Sequence, residues 1–579
     1  MQQISGAKLF VNALKEEGVD KVFAYPGAVV ADLFDEIGKQ DDIELILPRH
    51  EQGLIHAADG YARSTGKVGV CLVTSGPGAT NIVTGLANAN YDSVPLVCFT
   101  GQVPTGLVGN DAFQEVDIIG ITRNICKYGV TVRNREDLGR IIKEAFYIAR
   151  TGKPGPVVID LPKDIQVALG SKDYPEKVSI RGYKPVTDVH VGQLKRGFKL
   201  LKSAEKPLFL VGGGLNISRS NQAFLKLVET MKVPVISTIM GRGAIPSNHP
   251  YFVGNVGMHG SYASNMAIMN CDVLFSIGTR FNDRITGDLN EFAPNAKIVH
   301  IDIDTSAISR NVSVDVPIVA DAGIAIEKLL EWAVPLDTGA WMNTIYGWKE
   351  ERPLEMRKDK GVCPQVILET INDLFPEYIA VTDVGQHQMW CTQYLEINQN
   401  RQLLTSGGLG VMGFGLPAAI GAQFGNPDAQ VICISGDGGA QMNIQEMATA
   451  VCHNLPVIFC IFNNSYLGMV RQMQQLFYGK RYVGTCLRYH KGKCPDHCKG
   501  PGDQCPPYTP DFVRLAESYD ALGLRVTDPK EIKPALKEAA ANKKGPTLIE
   551  FIIDTDEIVL PMVKGGNPIS SMIFSPKGN

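Results

Sequence analysis

Two stretches of this 579-residue chain hold residue types and spacing suited to phosphate and metal chemistry. The segment ISGDGGAQMNIQEM, from Ile434, follows an apolar run and places a carboxylate, Asp437, in a glycine-rich loop. The next apolar run, VIFCIFNN, ends in Asn463 and Asn464, 27 residues beyond Asp437. A glycine loop between strand and helix presents backbone N–H groups and a helix N-terminus to phosphate. In a parallel sheet both strand ends fall on the same carboxyl edge, where ligands bind. An Asp carboxylate, an Asn amide oxygen and a nearby backbone carbonyl are hard oxygen ligands, suited to Mg²⁺ bridging a diphosphate. A glycine-rich turn alone only satisfies backbone geometry. The added carboxylate and the asparagine pair raise this one above that reading.

The same frame occurs once earlier. VTSGPGATNIVTGL, from Val73, sets Ser75 360 residues before Ser435 and has Pro77 where the later copy has Asp437. Ahead of it, LPRHEQGLIHAADG places Glu51 between an apolar run and a helical stretch. In isolation such a Glu is a residue favoured by the helix dipole.

The elements that must position these residues follow from the patterning. Continuous Val/Ile/Leu runs (VGVCLVT, VPLVCFTG, GPVVIDLP) alternate with helical stretches, the pattern of parallel strands buried on both faces. The fold class is α/β, in three doubly wound parallel-sheet units. The units are placed at 1–170, 188–335 and 363–555, with a tail at 556–579. Polar, irregular stretches separate them, and the first and third share the repeated frame. Apolar residues make up 44% and charged residues 20%, as in globular proteins, and the net charge of -4 gives no reason to expect nucleic acid. No apolar run reaches the roughly 18 residues of a membrane helix. The N-terminus reads as an amphipathic helix and not a signal peptide, so a cytoplasmic location is expected.

GDG, about 25–30 residues, then NN resembles the signature of thiamine diphosphate enzymes. The resemblance implies that Asp437, Asn464 and the carbonyl of Tyr466 hold Mg²⁺ on the cofactor's diphosphate. The first unit would then bind the pyrimidine, where no metal is needed. Glu51 would protonate the pyrimidine N1′, work for which a partly buried carboxyl with a raised pKa is suited. It would come from the opposite subunit of an obligate dimer.

The resemblance narrows to the catalytic subunits of acetohydroxyacid (acetolactate) synthases and covers nearly the whole chain. RHEQG, GNDAFQE, GKPGPVVIDLPKDI, GMHG, GTRFNDRITG, GQHQMW, GLGVMGFGLPAAIG, LGMVRQ and EIVLPM carry it. It implies that Gln114, beside Phe113, lines the active site, that Lys163 stands at the substrate entrance, and that Arg284 binds the second substrate's carboxylate. Met469 would support the bent cofactor, and Gly385, Gln386, His387, Gly410, Met412 and Gly438 would contact it. The central unit would bind FAD in a structural role through Gly212, Gly213, Gly214, Thr238, Met240, His259, Gly278, Arg280, Asp283, Asp302 and Asp321. The implied reaction condenses pyruvate, with loss of CO₂, onto pyruvate or 2-oxobutyrate in branched-chain amino-acid biosynthesis. A homodimer or homotetramer and a small regulatory subunit are implied as well. Another thiamine diphosphate carboligase or decarboxylase, or a pyruvate oxidase-like flavoenzyme, is the alternative. Gly408 to Gly413 also satisfies G-x-G-x-x-G, but Pro417 follows closely and the segment lies where the family binds thiamine diphosphate, so a nicotinamide site is rejected.

The sequence departs from the family in several places. Ala28 and Val29 stand where smaller residues are usual, and Met473 stands where a pocket-shaping Trp is usual, which predicts a weaker preference for 2-oxobutyrate. Lys153 replaces a common flavin-contacting Arg. The insertion at 486–507 sets Cys486, Cys494, Cys498 and Cys505 together within 20 residues. Four thiolates could bind Zn²⁺ or hold an iron–sulfur cluster, although the spacing fits neither standard pattern; reduced thiols in a loop are the plainer reading.

Overall fold

The computed structural model describes residues 3–356, 361–488, 505 and 508–575. The apolar runs form three six-stranded sheets, each parallel throughout. Strands β1 to β6 (Lys21–Ala24, Glu44–Ile46, Gly69–Val73, Leu96–Gln102, Tyr128–Thr131 and Val157–Pro162) lie in the order β2-β1-β3-β4-β6-β5. Strands β7 to β12 (Pro207–Val211, Val235–Ser237, Phe252–Asn255, Val273–Ile277, Lys297–Asp302 and Val316–Val319) lie in the order β9-β8-β7-β10-β11-β12. Strands β13 to β18 (Ile379–Thr382, Leu403–Thr405, Val431–Gly436, Ile458–Asn463, Leu522–Val526 and Thr547–Ile552) lie in the order β14-β13-β15-β16-β18-β17. The first and third sheets thus share one order, while the central sheet has the 3-2-1-4-5-6 order of dinucleotide-binding folds. No helix among the described residues is long and apolar enough to cross a membrane.

The first and third units share a core. Leu54, Ile55, Ala58 and Tyr61, on helix Glu51–Thr65, pack with Phe414, Leu416, Ala419 and Ala422, on and before helix Gly415–Gly425. Each of the buried leucine, isoleucine and phenylalanine side chains contributes about 1.5–3 kcal/mol. The two helices approach closely: a Cβ on Gly60 would overlap the carbonyl of Ala418, and one on Gly421 that of Ala57. Both ends of helix Glu51–Thr65 are also held from outside its own unit. At the start, Glu446 accepts the backbone N–H groups of Arg49 and His50, each at 3.0 Å. At the end, Arg401 donates to the Arg63 carbonyl at 2.5 Å and Arg219 to the Gly66 carbonyl at 3.0 Å.

Candidate active site

Strands β15 and β16 are neighbours in register, so Asp437 and Asn464 emerge side by side at one carboxyl edge. Asp437 opens a short helix, Asp437–Ala440, and its Oδ1 accepts the Gly438 N–H at 3.1 Å. Its Oδ2 is buried without a hydrogen-bond partner. Burial pushes this carboxyl up to about 7, although backbone N–H groups of Gly438, Ser465 and Tyr466 oppose the shift. Asn464 accepts the Tyr466 N–H at 3.0 Å and donates to Gln386 at 3.3 Å. An orphaned carboxylate oxygen inside an oxygen-rich turn is the environment a hard cation relieves. Among the described residues no group of three or more His, Cys, Asp or Glu could hold a metal. A cation here would therefore rest on one carboxylate with amide and carbonyl oxygens, which suits Mg²⁺ and not a soft metal.

A cavity of about 670 Å³ opens beside this turn, between the central and third units, with Asp92 and Lys153 of the first unit also on its wall. From the third unit, Gly385, Gly410, Met412, Met469 and Met473 line it. From the central unit it takes Gly212, Gly213, Gly214, Thr238, Met240, His259, Gly278, Arg280, Asp283, Arg284, Asp302 and Asp321. Gly212 follows β7 and Gly278 follows β10, the neighbouring strands at which the sheet order reverses. That crevice is where such sheets bind ligands. Asp321 also caps helix Ala322–Leu330, accepting from Gly323 and Ile324. Lys153 reaches the cavity wall and pairs with Asp304 at 2.9 Å. Gly408 to Gly413 follow β14, next to the edge of the third sheet, whereas the dinucleotide strand order belongs to the central sheet.

Two of the expected contacts lie beneath the cavity. Gln386 donates to Gln472 and to the Glu557 carbonyl, both at 3.0 Å, which ties it to the chain's tail. His387 is fully buried with Nε2 unpartnered, and burial lowers its pKa to about 3. His259 is likewise lowered to about 4, and its ring faces the Pro561 carbonyl at 3.3 Å.

The remaining residues gather at the carboxyl edge of the first sheet and do not line the cavity. Glu51, half-buried, accepts from Asn81 Nδ2 at 3.0 Å. Lys163 forms an ion pair with Asp32 and lies 3.4 Å from the Ala28 carbonyl. Val29 packs beside Gly101, Gln114 lies beside Gly76, and Phe113 is 86% exposed. One chain thus presents two half-sites, one on each repeated sheet.

The cysteine-rich insertion springs from beside the turn at Asn464–Tyr466. Cys486 pairs across from Tyr466, and the Leu487 N–H reaches the Ser465 carbonyl at 2.9 Å. Arg488 donates to the Cys505 carbonyl at 3.3 Å. Cys494 and Cys498, and with them the proposed second metal site, lie outside the described residues.

Three domains of the thiamine pyrophosphate enzyme family match this chain: the N-terminal TPP-binding domain at 4–121, the central domain at 194–329 and the C-terminal TPP-binding domain at 383–551. The probable acetolactate synthase large subunit of Methanococcus aeolicus is 45% identical over 98% of this chain and 95% of its own length. Isozyme 3 of the Escherichia coli acetolactate synthase large subunit is 43% identical over 98% of each chain. The large subunit of Haemophilus influenzae is 42% identical over 99% of each. The chain belongs to the acetolactate synthase large-subunit family.

Within this member of the acetolactate synthase family, two buried carboxylates went unread in the sequence. Asp383, directly after β13, accepts the N–H groups of Gly413 and Gly415 at 3.1 and 2.9 Å and so holds the loop bearing Met412. Burial raises it to about 6. Its place at a strand end, like that of Asp302, was the available signal. Glu446 offered none, because the backbone groups it holds, those of Arg49 and His50, lie nearly 400 residues away.

Proposed function

We propose that this member of the acetolactate synthase family condenses pyruvate, with loss of CO₂, onto a second molecule of pyruvate or onto 2-oxobutyrate. The products are 2-acetolactate and 2-aceto-2-hydroxybutyrate, precursors in branched-chain amino-acid biosynthesis. Bound thiamine diphosphate supplies the electron sink that decarboxylation and acyl transfer require. Asp437, Asn464 and the Tyr466 carbonyl are assigned to Mg²⁺ on its diphosphate; the unpartnered Asp437 Oδ2 is the observation that carries this assignment. Glu51 is assigned to holding and moving a proton at the pyrimidine nitrogen. Arg284, exposed at the cavity mouth, is assigned to the carboxylate of the second 2-keto acid, which a guanidinium grips bidentately. The central crevice is assigned to FAD, in keeping with the dinucleotide strand order and with Gly212 and Gly278 at its switch point.

A homodimer, or a tetramer built from it, fits the two separated half-sites: Glu51 of one chain would complete the cavity of the other. Exposed Leu107, Val108 and Phe113 around the first half-site, and Leu409, Met442 and Val470 around the second, support that contact. The name "large subunit" borne by the relatives supports a small regulatory partner. A cytoplasmic location is proposed on the sequence reading alone. Product analysis with pyruvate alone and with both acceptors tests the whole reading, with flavin and magnesium measured on the same sample. Acetolactate formed without an oxidant is expected. Flavin bleaching by pyruvate at the turnover rate would replace this reading with an oxidase.

A further inference from the structure

The cavity's flavin half and its thiamine half share one wall, segment 406–412 between β14 and helix Gly415–Gly425. Gly407, Gly408 and Leu409 line the cavity alongside Gly213 and Arg280, while Gly410 and Met412 face the thiamine half. This wall is held by a buried polar network from the first unit, which none of the assignments above uses. Arg63 forms ion pairs with Asp59 and, at 3.0 Å, with Asp92, and it donates to the Thr405 carbonyl at 2.9 Å. Asp92 Oδ2 also accepts the Gly407 N–H at 3.0 Å. Asn88 donates to Asp59 at 3.0 Å and accepts the Ser406 hydroxyl at 2.6 Å. Ser406 Oγ in turn accepts the N–H groups of Gly410 and Val411 at 3.1 and 2.9 Å, so the hydroxyl is fully used. The second oxygen of Asp92 is buried without a partner, on the side of Gly408 and Arg280.

We infer that Asp92 and Ser406 are positioning residues that couple the two cofactor sites: filling the flavin crevice orders the shared wall and thereby tightens thiamine diphosphate binding, and the reverse holds equally. The inference rests on the proposed function, since both cofactors belong to that reading. Its physical content is a coupling free energy carried by one segment with two faces, and such coupling is reciprocal. Arg63 and Asp92 are buried charges whose partners leave them little freedom, so they tie the wall to helix Glu51–Thr65 and pass a shift at one of its faces to the other.

The test titrates thiamine diphosphate with Mg²⁺ into flavin-saturated and flavin-stripped protein, read by tryptophan fluorescence; Trp390, buried on the helix after Gly385, is the nearby reporter. The wild type is expected to bind at least about five-fold more tightly with FAD present, and FAD to gain the same factor from thiamine diphosphate. Ser406→Ala and Asp92→Asn are expected to bring that factor close to one while both cofactors still bind. Independent binding in the wild type overturns the inference and leaves the proposed function standing. Coupling that survives in both variants removes the role of this network. Failure of the wild type to bind either cofactor overturns the proposed function and the inference with it. If Asp92→Asn does not fold, Ser406→Ala, which removes a single oxygen, decides alone.

Discussion

The first and third sheets repeat one strand order and end their third strands in the same Ser-Gly-x-Gly turn, yet the two turns are built differently. In the first, Gly76 has φ 59° and ψ -117°, and Pro77 opens helix Pro77–Asn81, where a missing N–H costs nothing. In the third, Gly436 is extended at φ -88° and ψ 162°, and a carboxylate opens the helix. The hydroxyls differ too: Ser75 Oγ is buried and unpartnered, whereas Ser435 Oγ donates to the Gly436 carbonyl at 3.1 Å. Each edge keeps one acid for ligand chemistry, but in a different place. Glu51 sits at the helix before its turn, half-buried and bonded to Asn81; Asp437 sits in the turn itself, buried with an oxygen free. On the proposed assignments, a duplicated scaffold has kept its strand order and separated proton handling from cation holding.

The sharpest way to break this division of labour is to swap the acids' chemistry. Glu51→Gln is expected to lower kcat by a factor on the order of 1,000, the scale of general acid–base catalysis, with thiamine diphosphate binding nearly unchanged. Steady-state kinetics beside a binding titration check it, and unaffected turnover refutes the role given to Glu51. Asp437→Asn is expected to do the opposite, weakening Mg²⁺-dependent cofactor binding by about 100-fold. Calorimetric titration reads that loss, and unchanged affinity would remove Asp437 from the cation site.

The acceptor pocket proposed to form across the dimer offers a milder contrast, since Ala28 and Val29 would come from the first edge and Met473 from the third. Met473→Trp is expected to raise the share of 2-oxobutyrate-derived product by about ten-fold in a competition assay, the scale at which a filled pocket discriminates neighbouring acyl chains. An unchanged product ratio refutes it. The smallest effect concerns pH. His56 under the first edge and His387 under the third both have burial-lowered pKa values of about 3. The unfolded chain binds these protons below its ordinary value of about 6.5 and the folded chain does not, so stability is present above that pH and is lost as pH falls. Between pH 7 and 5 each histidine is expected to cost up to about 2 kcal/mol. Thermal melts at both pH values should show a smaller acid loss for His56→Leu than for the wild type.

Much of the architecture was legible because parallel strands buried on both faces write continuous apolar runs, and three sets of such runs became three sheets. The identical order of the first and third sheets was only hinted at by the two turns, since strand pairing depends on contacts far apart in sequence. Site residues with a spacing signature, Asp437 and Asn464, are adjacent at one edge as the motif required. Residues without one were missed: Asp383, Asp92 and Glu446 are lone acids that hold backbone N–H groups 30, 315 and 397 positions away. Lys163, expected at the substrate entrance, is ion-paired with Asp32, a partner that no local pattern announces.

Helix Glu51–Thr65 is held at one end by Glu446 and at the other by Arg401 and Arg219, with Gly60 pressed against the third unit between them. The stretch of chain that separates these units in sequence, central unit included, is therefore no boundary in thermodynamics. Cutting the first unit free would strip the apolar face of Leu54, Ile55, Ala58 and Tyr61 and remove the hydrogen bonds that hold the backbone at both ends of the helix. The two repeated units should melt as one cooperative block.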